Sequence, residues 1–154
     1  MHNIPARLRT FLRKQPFTTI STCSLKRRMP HTAIVCFVMD PDLTFYFVTH
    51  GSSRKVQDII ENPNVSGVHW AMGGGMNVQW QGHAEIVPMP QADVIMDRVI
   101  KKMVSVPDFW PPIFKFREHD YVVIKITPTY MTMMEIKAQT ISSPLPGYEV
   151  VLDT

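Results

Sequence analysis

Cysteine is scarce in this chain: two residues, Cys23 and Cys36, in 154. Both sit in apolar, strand-like runs with no Cys-x-x-Cys spacing, so no disulfide framework is implied and there is no metal signature. They are expected to be reduced, buried thiols. Long apolar runs are missing too. None approaches the roughly 18 residues of a membrane span, and the opening MHNIPARLRTFLRKQP is amphipathic and basic. A cytoplasmic protein with no membrane partner is the default expectation. Charge of one sign is also weak, with 16 Lys and Arg against 13 Asp and Glu and a formal charge of +3. That balance does not argue for nucleic acid, and the strands lack the interleaved basic and aromatic faces that stack on bases. The one dense cationic run, Lys26-Arg27-Arg28, reads as a solvated loop. Six histidines, at 2, 31, 50, 69, 83 and 119, form no His-x-x-x-His pair, so zinc is not expected. The glycines at 73–75 precede no Lys-Ser/Thr, so they make no P-loop. No repeat, linker or low-complexity segment divides the chain.

What is present describes one globular domain over residues 1–154, with 45% hydrophobic and 19% charged residues. Pro5 to Gln15 reads as a short helix with Leu8, Phe11 and Leu12 on one face. Strands are expected at Phe17 to Cys23, Thr32 to Met39, Leu43 to Thr49 and Val65 to Ala71, where β-branched and aromatic residues dominate. Met76 to Val87 alternates, with Val78, Trp80, Gly82, Ala84 and Ile86 on one side. Gln91 to Val104 is a helix with Ala92, Ile95, Val99 and Met103 on one face and Lys101 and Lys102 off it. Tyr121 to Lys137 is a long final strand, bent near Pro128. Residues 138–154 read as a tail lying on a surface. Six strands, frequent turns and three helices predict a mainly β protein with flanking helices, built on a six-stranded split β-barrel.

The segment joining the third strand to a second helix, expected over residues 53–61, is THGSSRK, and it asks for an explanation. Ser52 or Ser53 is an ordinary N-cap. Arg54 and Lys55 are not ordinary in a first turn, where the helix end is already partially positive and favours acids. Two readings are open. In one, the basic chains simply point into water. In the other, free amides, hydroxyls and cations together hold an anion such as a phosphate. His50 would either donate to that anion or be a surface loop residue.

The block DPDLTFYFVTHGSSRKVQDIIENPNVSGVHW, with MPHTAIVCF before it and NVQWQGHAEIV after it, resembles the FMN-binding split-barrel family, also called pyridoxamine-phosphate-oxidase-like proteins. The likeness runs from about Phe17 to Lys137. The resemblance implies a barrel that binds FMN between two protomers of a homodimer. It implies that Ser53, Arg54 and Lys55 hold the phosphate. Val48 and Thr49, at the strand end, would lie along the ribityl chain or flavin edge, and the backbone of Ile34, Val35 and Cys36 would line the ring. Asn77 would stand where the family has a polar residue that reaches the flavin. Trp110, or a neighbouring aromatic, would either cover the partner's flavin or serve packing. The chain departs from true pyridoxamine-phosphate oxidases in having no arginine after Arg117, so their C-terminal Arg-x-His substrate grip has no counterpart and that activity is not expected. The function implied is flavin-dependent oxidation or reduction of a small organic molecule. The alternative is a carrier or sensor of FMN, a deazaflavin or haem. No side chain is singled out as a catalytic acid or base.

Overall fold

The computed structural model describes residues 5–70, 75–108, 120–135 and 148–154. Within them the elements run α1 (Ala6–Lys14), β1 (Phe17–Ser24), β2 (Met29–Met39), β3 (Phe45–His50), α2 (Arg54–Glu61), β4 (Asn64–Trp70), β5 (Met76–Ile86), α3 (Gln91–Val104), β6 (Tyr121–Glu135) and β7 (Tyr148–Asp153). The strands follow the order β3-β2-β1-β4-β5-β6-β7, and a further pairing of β3 with β6 closes six of them into a ring. All the neighbouring pairs are antiparallel. The ring is split. β1 and β4 share a single bridge, Ser21 opposite Ser66, and hydroxyls replace the missing ladder, with the Val68 amide donating to Thr19 Oγ1 at 2.8 Å.

Closure depends on β6. Its first half pairs with β3, Tyr121 to Ile126, and its second half with β7, Tyr130 to Met134. The expected bend is a register shift: Gln81 faces Tyr130 while Gly82 faces Pro128. Proline has no amide to donate to a ladder, so the shift falls where pairing is weakest. Glycine is needed opposite it, because a Cβ on Gly82 would lie 2.4 Å from the Thr127 carbonyl oxygen. The end of the segment read as a tail is β7, the seventh strand, added at the edge of the ring.

The alternation of β5 sends Val78, Trp80, Gly82 and Ala84 inward. They join Phe37, Phe45, Phe47, Ile124 and Ile126 in the barrel core, with Leu8 and Leu12 of α1 and Val56 and Ile59 of α2 packed against it. A second cluster lies outside the barrel, where Ala92, Val99 and Met103 of α3 cover Cys36, Val38, Val48 and Val123. Lys102, expected off the buried face, turns in: its ammonium sits 4.5 Å above the Phe37 ring and donates to the Gln15 carbonyl at 2.8 Å. His69 is 1% exposed in the barrel core, its ring 4.7 Å from that of Phe37, and neither ring nitrogen has a hydrogen-bond partner.

Candidate functional site

The β3–α2 loop carries most of the predicted site. Ser53 is the N-cap of α2 in extended conformation, yet its hydroxyl makes no capping bond. It lies 3.5 Å from the Thr49 hydroxyl instead. Lys55 folds back over the loop, and its ammonium donates to Thr49 Oγ1 at 3.0 Å. Burial lowers the Lys55 pKa, because a half-dehydrated ammonium prefers to lose its charge. No acid occupies the first turn of α2, and among the described residues no carboxylate pairs with Lys55 or Arg54. Arg54 is exposed. Thus one of the two cations points outward, as a solvated helix start requires, and the other is drawn inward among hydroxyls. The first amides of any helix lack an acceptor within it. Amides, two hydroxyls and the Lys55 ammonium therefore converge, a set made largely of donors that suits a phosphate, while Arg54 stays exposed.

His50 faces elsewhere. Its Nδ1 accepts the Ser52 amide at 3.2 Å and lies 2.7 Å from Ser52 Oγ, while Nε2 stands 3.7 Å from a carboxylate oxygen of Asp120. The ring braces its own loop rather than offering Nδ1–H to an anion.

Strand register joins the loop to part of β2. Phe37 faces Phe47, the last pair of the β2–β3 ladder, which leaves Cys36 and Val35 just past its end. Val35 belongs to the barrel core, whereas Cys36 and Val48 lie under α3. Burial pushes the Cys36 thiol pKa up, which keeps it a weak nucleophile. Ile34 is on the same outer face as Cys36 but beyond the cover of α3, and it is 74% exposed.

Asn77 is not brought to this place. Thr49 faces Val122 on β6, and Asn77 faces Met134. The strand between them runs roughly 40 Å at about 3.3 Å per residue. Asn77 Oδ1 is buried without a donor. Trp110 lies outside the described residues, as do residues 71–74.

Two polar arrangements escaped the sequence. Asp58 is fully buried on α2, accepting from Thr22 Oγ1 at 2.8 Å and pairing with Arg27. Glu61 accepts from Ser24 Oγ at 3.0 Å and pairs with Lys26. The Lys26-Arg27-Arg28 turn is therefore tied to α2 rather than free in solvent. Cys23, expected to be buried, is half-exposed. It borders a cavity of about 440 Å³ at the β1–β4 split, lined by Ser21, Asn64, Ser66, Gln81 and His83 among others. No lysine or arginine is among those groups, and they adjoin the far end of α2, so the anion chemistry belongs to the loop.

The family model described as pyridoxamine 5'-phosphate oxidase matches residues 4–135. The chain belongs to this family. No curated protein matches it in sequence. Among solved structures, General Stress Protein 26 from Bacillus anthracis is similar at 24% identity and a TM-score of 0.63, over 82% of this chain and 90% of that one. A conserved hypothetical protein from Mycobacterium tuberculosis is similar at 17% identity and a TM-score of 0.70, over 96% of each chain. An F420 reductase is similar at 18% identity and a TM-score of 0.66, over 83% of this chain and 98% of that one. At such identities the likeness is one of fold, and it agrees with the split barrel built above.

Proposed function

We propose that this member of the pyridoxamine 5'-phosphate oxidase family binds FMN as a homodimer and is a flavin-dependent oxidoreductase acting on a small organic molecule. The observation that carries the reading is Lys55, a half-buried cation held by Thr49 Oγ1 at 3.0 Å with no carboxylate partner among the described residues. A buried ammonium without a counter-charge is unfavourable, and a bound dianion at the same helix start relieves it. Lys55, Arg54, Ser53 and Thr49 would hold the phosphate. The exposed Ile34 side chain offers an apolar floor for the ring. Bound FMN supplies the redox chemistry; the residues named here bind and orient it.

The dimer is supported by the outer face of the sheet. Ile34, Trp70, Tyr148 and Val150 are 74%, 60%, 46% and 56% exposed there, and a second copy could cover them. The test is a fluorescence-quenching titration of the purified protein with FMN, together with its mass in solution. Saturation at one FMN per chain on a dimer is expected. Failure to bind FMN contradicts the reading. Oxidation of a reduced nicotinamide by the loaded protein then separates an enzyme from a carrier.

A further inference from the structure

We propose that His50 is a positioning residue for the phosphate: by accepting from Ser52 it sets the β3–α2 loop so that the anion meets the amides of Arg54 and Lys55. This rests on the FMN reading above and says how that same site is held. The donors of the loop divide into two groups. The Gly51 amide donates to the Asp120 carbonyl at 2.7 Å, and the Ser53 amide donates to the His50 carbonyl at 3.0 Å. Between them, the Ser52 amide donates to His50 Nδ1 at 3.2 Å. The amides of residues 51 to 53 are thus occupied by the protein itself. The next two, on Arg54 and Lys55, open α2 and meet no acceptor among the described residues. Ser53 Oγ makes no capping bond and stands 3.5 Å from Thr49 Oγ1, the same oxygen that takes the Lys55 ammonium. The donors left for an anion therefore begin at Ser53.

His50 draws that boundary. An Nδ1 that accepts carries no proton, so the neutral ring holds its proton on Nε2. Nε2 stands 3.7 Å from a carboxylate oxygen of Asp120, a neighbour that favours this tautomer. Ser52 Oγ, 2.7 Å from Nδ1, is held there as well. Ser52 therefore offers the anion neither its amide nor its hydroxyl. Its carbonyl is also tied down, accepting from Gln57 Nε2 at 3.2 Å. His50 in turn is fixed on the sheet by its pairing with Tyr121 of β6. Removing the Nδ1 acceptor leaves the Ser52 amide without its partner and loosens the turn. Binding must then order the loop before the phosphate is held, which weakens affinity without any contact between His50 and the ligand.

Fluorescence-quenching titrations with FMN and riboflavin read the part of the affinity that depends on the phosphate. His50→Ala should weaken FMN by about fivefold, the loss of one neutral hydrogen bond, and leave riboflavin unchanged. His50→Asn should restore FMN affinity, because its Oδ1 is bonded to Cγ as Nδ1 is and can accept the same amide. His50→Gln should not, since its polar atoms lie further out, nearer the place of Nε2. Loss of ring packing or of the Asp120 contact alone would not give this preference for Asn over Gln. Ser52→Ala should bind FMN nearly as wild type does, whereas Ser53→Ala should weaken it by about fivefold. If wild type binds FMN no more tightly than riboflavin, the phosphate reading fails and the role of His50 falls with it. If wild type prefers FMN but His50→Ala binds it as tightly, or Gln rescues as well as Asn, the positioning role fails while the FMN reading stands. Equal losses for Ser52→Ala and Ser53→Ala would overturn the division of donors that His50 is proposed to make.

Discussion

Replacing His69 with leucine removes an imidazole that the barrel core cannot hydrate. His69 is 1% exposed, and both ring nitrogens lack partners. Its pKa is pushed down to about 3, first by burial and then by the Lys102 charge. An unfolded histidine titrates near 6.5. Between those values the unfolded chain binds the proton and the native chain does not. Stability therefore falls as pH drops below about 6.5, and the loss is complete below about 3. At pH 5 the penalty is about 2 kcal/mol, from about 1.5 pH units at about 1.4 kcal/mol each. Leucine carries no such term and fills a similar volume. Urea unfolding of wild type and His69→Leu, followed by circular dichroism at pH 7 and pH 5, measures the difference. Carboxylates titrate alike in both proteins and cancel. Wild type should lose about 2 kcal/mol more than the variant over that interval. Parallel losses would refute the reasoning, since His69 would then be hydrated or charged in the native state.

Arg27→Ala leaves the fully buried Asp58 carboxylate with Thr22 as its remaining partner. It should lower stability by about 3 kcal/mol in denaturant unfolding, whereas loss of a merely solvated loop cation would change little. Gly67→Ala sets a methyl group 2.0 Å from the Thr19 carbonyl oxygen and 2.5 Å from the Trp80 ring. The split between β1 and β4 cannot open to receive it without losing Trp80 packing. A loss of about 3 kcal/mol or more is expected, read as a drop in Tm; an unchanged Tm would contradict the close approach of these strands.

Local pattern made much of this fold legible. The two-residue period of β5 gave the inward set from Val78 to Ala84, and the helical spacing of Ala92, Val99 and Met103 gave the covered face of α3. Pairings remote in sequence were not legible. Nothing near Arg27 announces Asp58, because the two meet only once α2 folds over the β1–β2 turn. Lys102 sits at a surface position by periodicity, yet its long stem carries the ammonium over Phe37. In β7, Tyr-Glu-Val-Val-Leu-Asp had strand character, but the preceding Pro-x-Pro suggested an end of structure. The loop from Thr49 to Lys55 was found as a chemical anomaly. What the sequence left open was the direction of each cation, and burial divides them: Lys55 inward, Arg54 outward. The separation of Asn77 from that loop was invisible until strand register was known.

The most direct test of the central claim compares FMN with riboflavin on wild type and Lys55→Ala. The two ligands differ by the phosphate alone, so their affinity ratio isolates the loop. A charge-assisted hydrogen bond contributes roughly 1.5–3 kcal/mol, which corresponds to a loss on the order of tenfold to a hundredfold in FMN affinity. The account predicts that loss for FMN, with riboflavin binding and unfolding stability nearly unchanged. Equal FMN affinity for wild type and Lys55→Ala would contradict it.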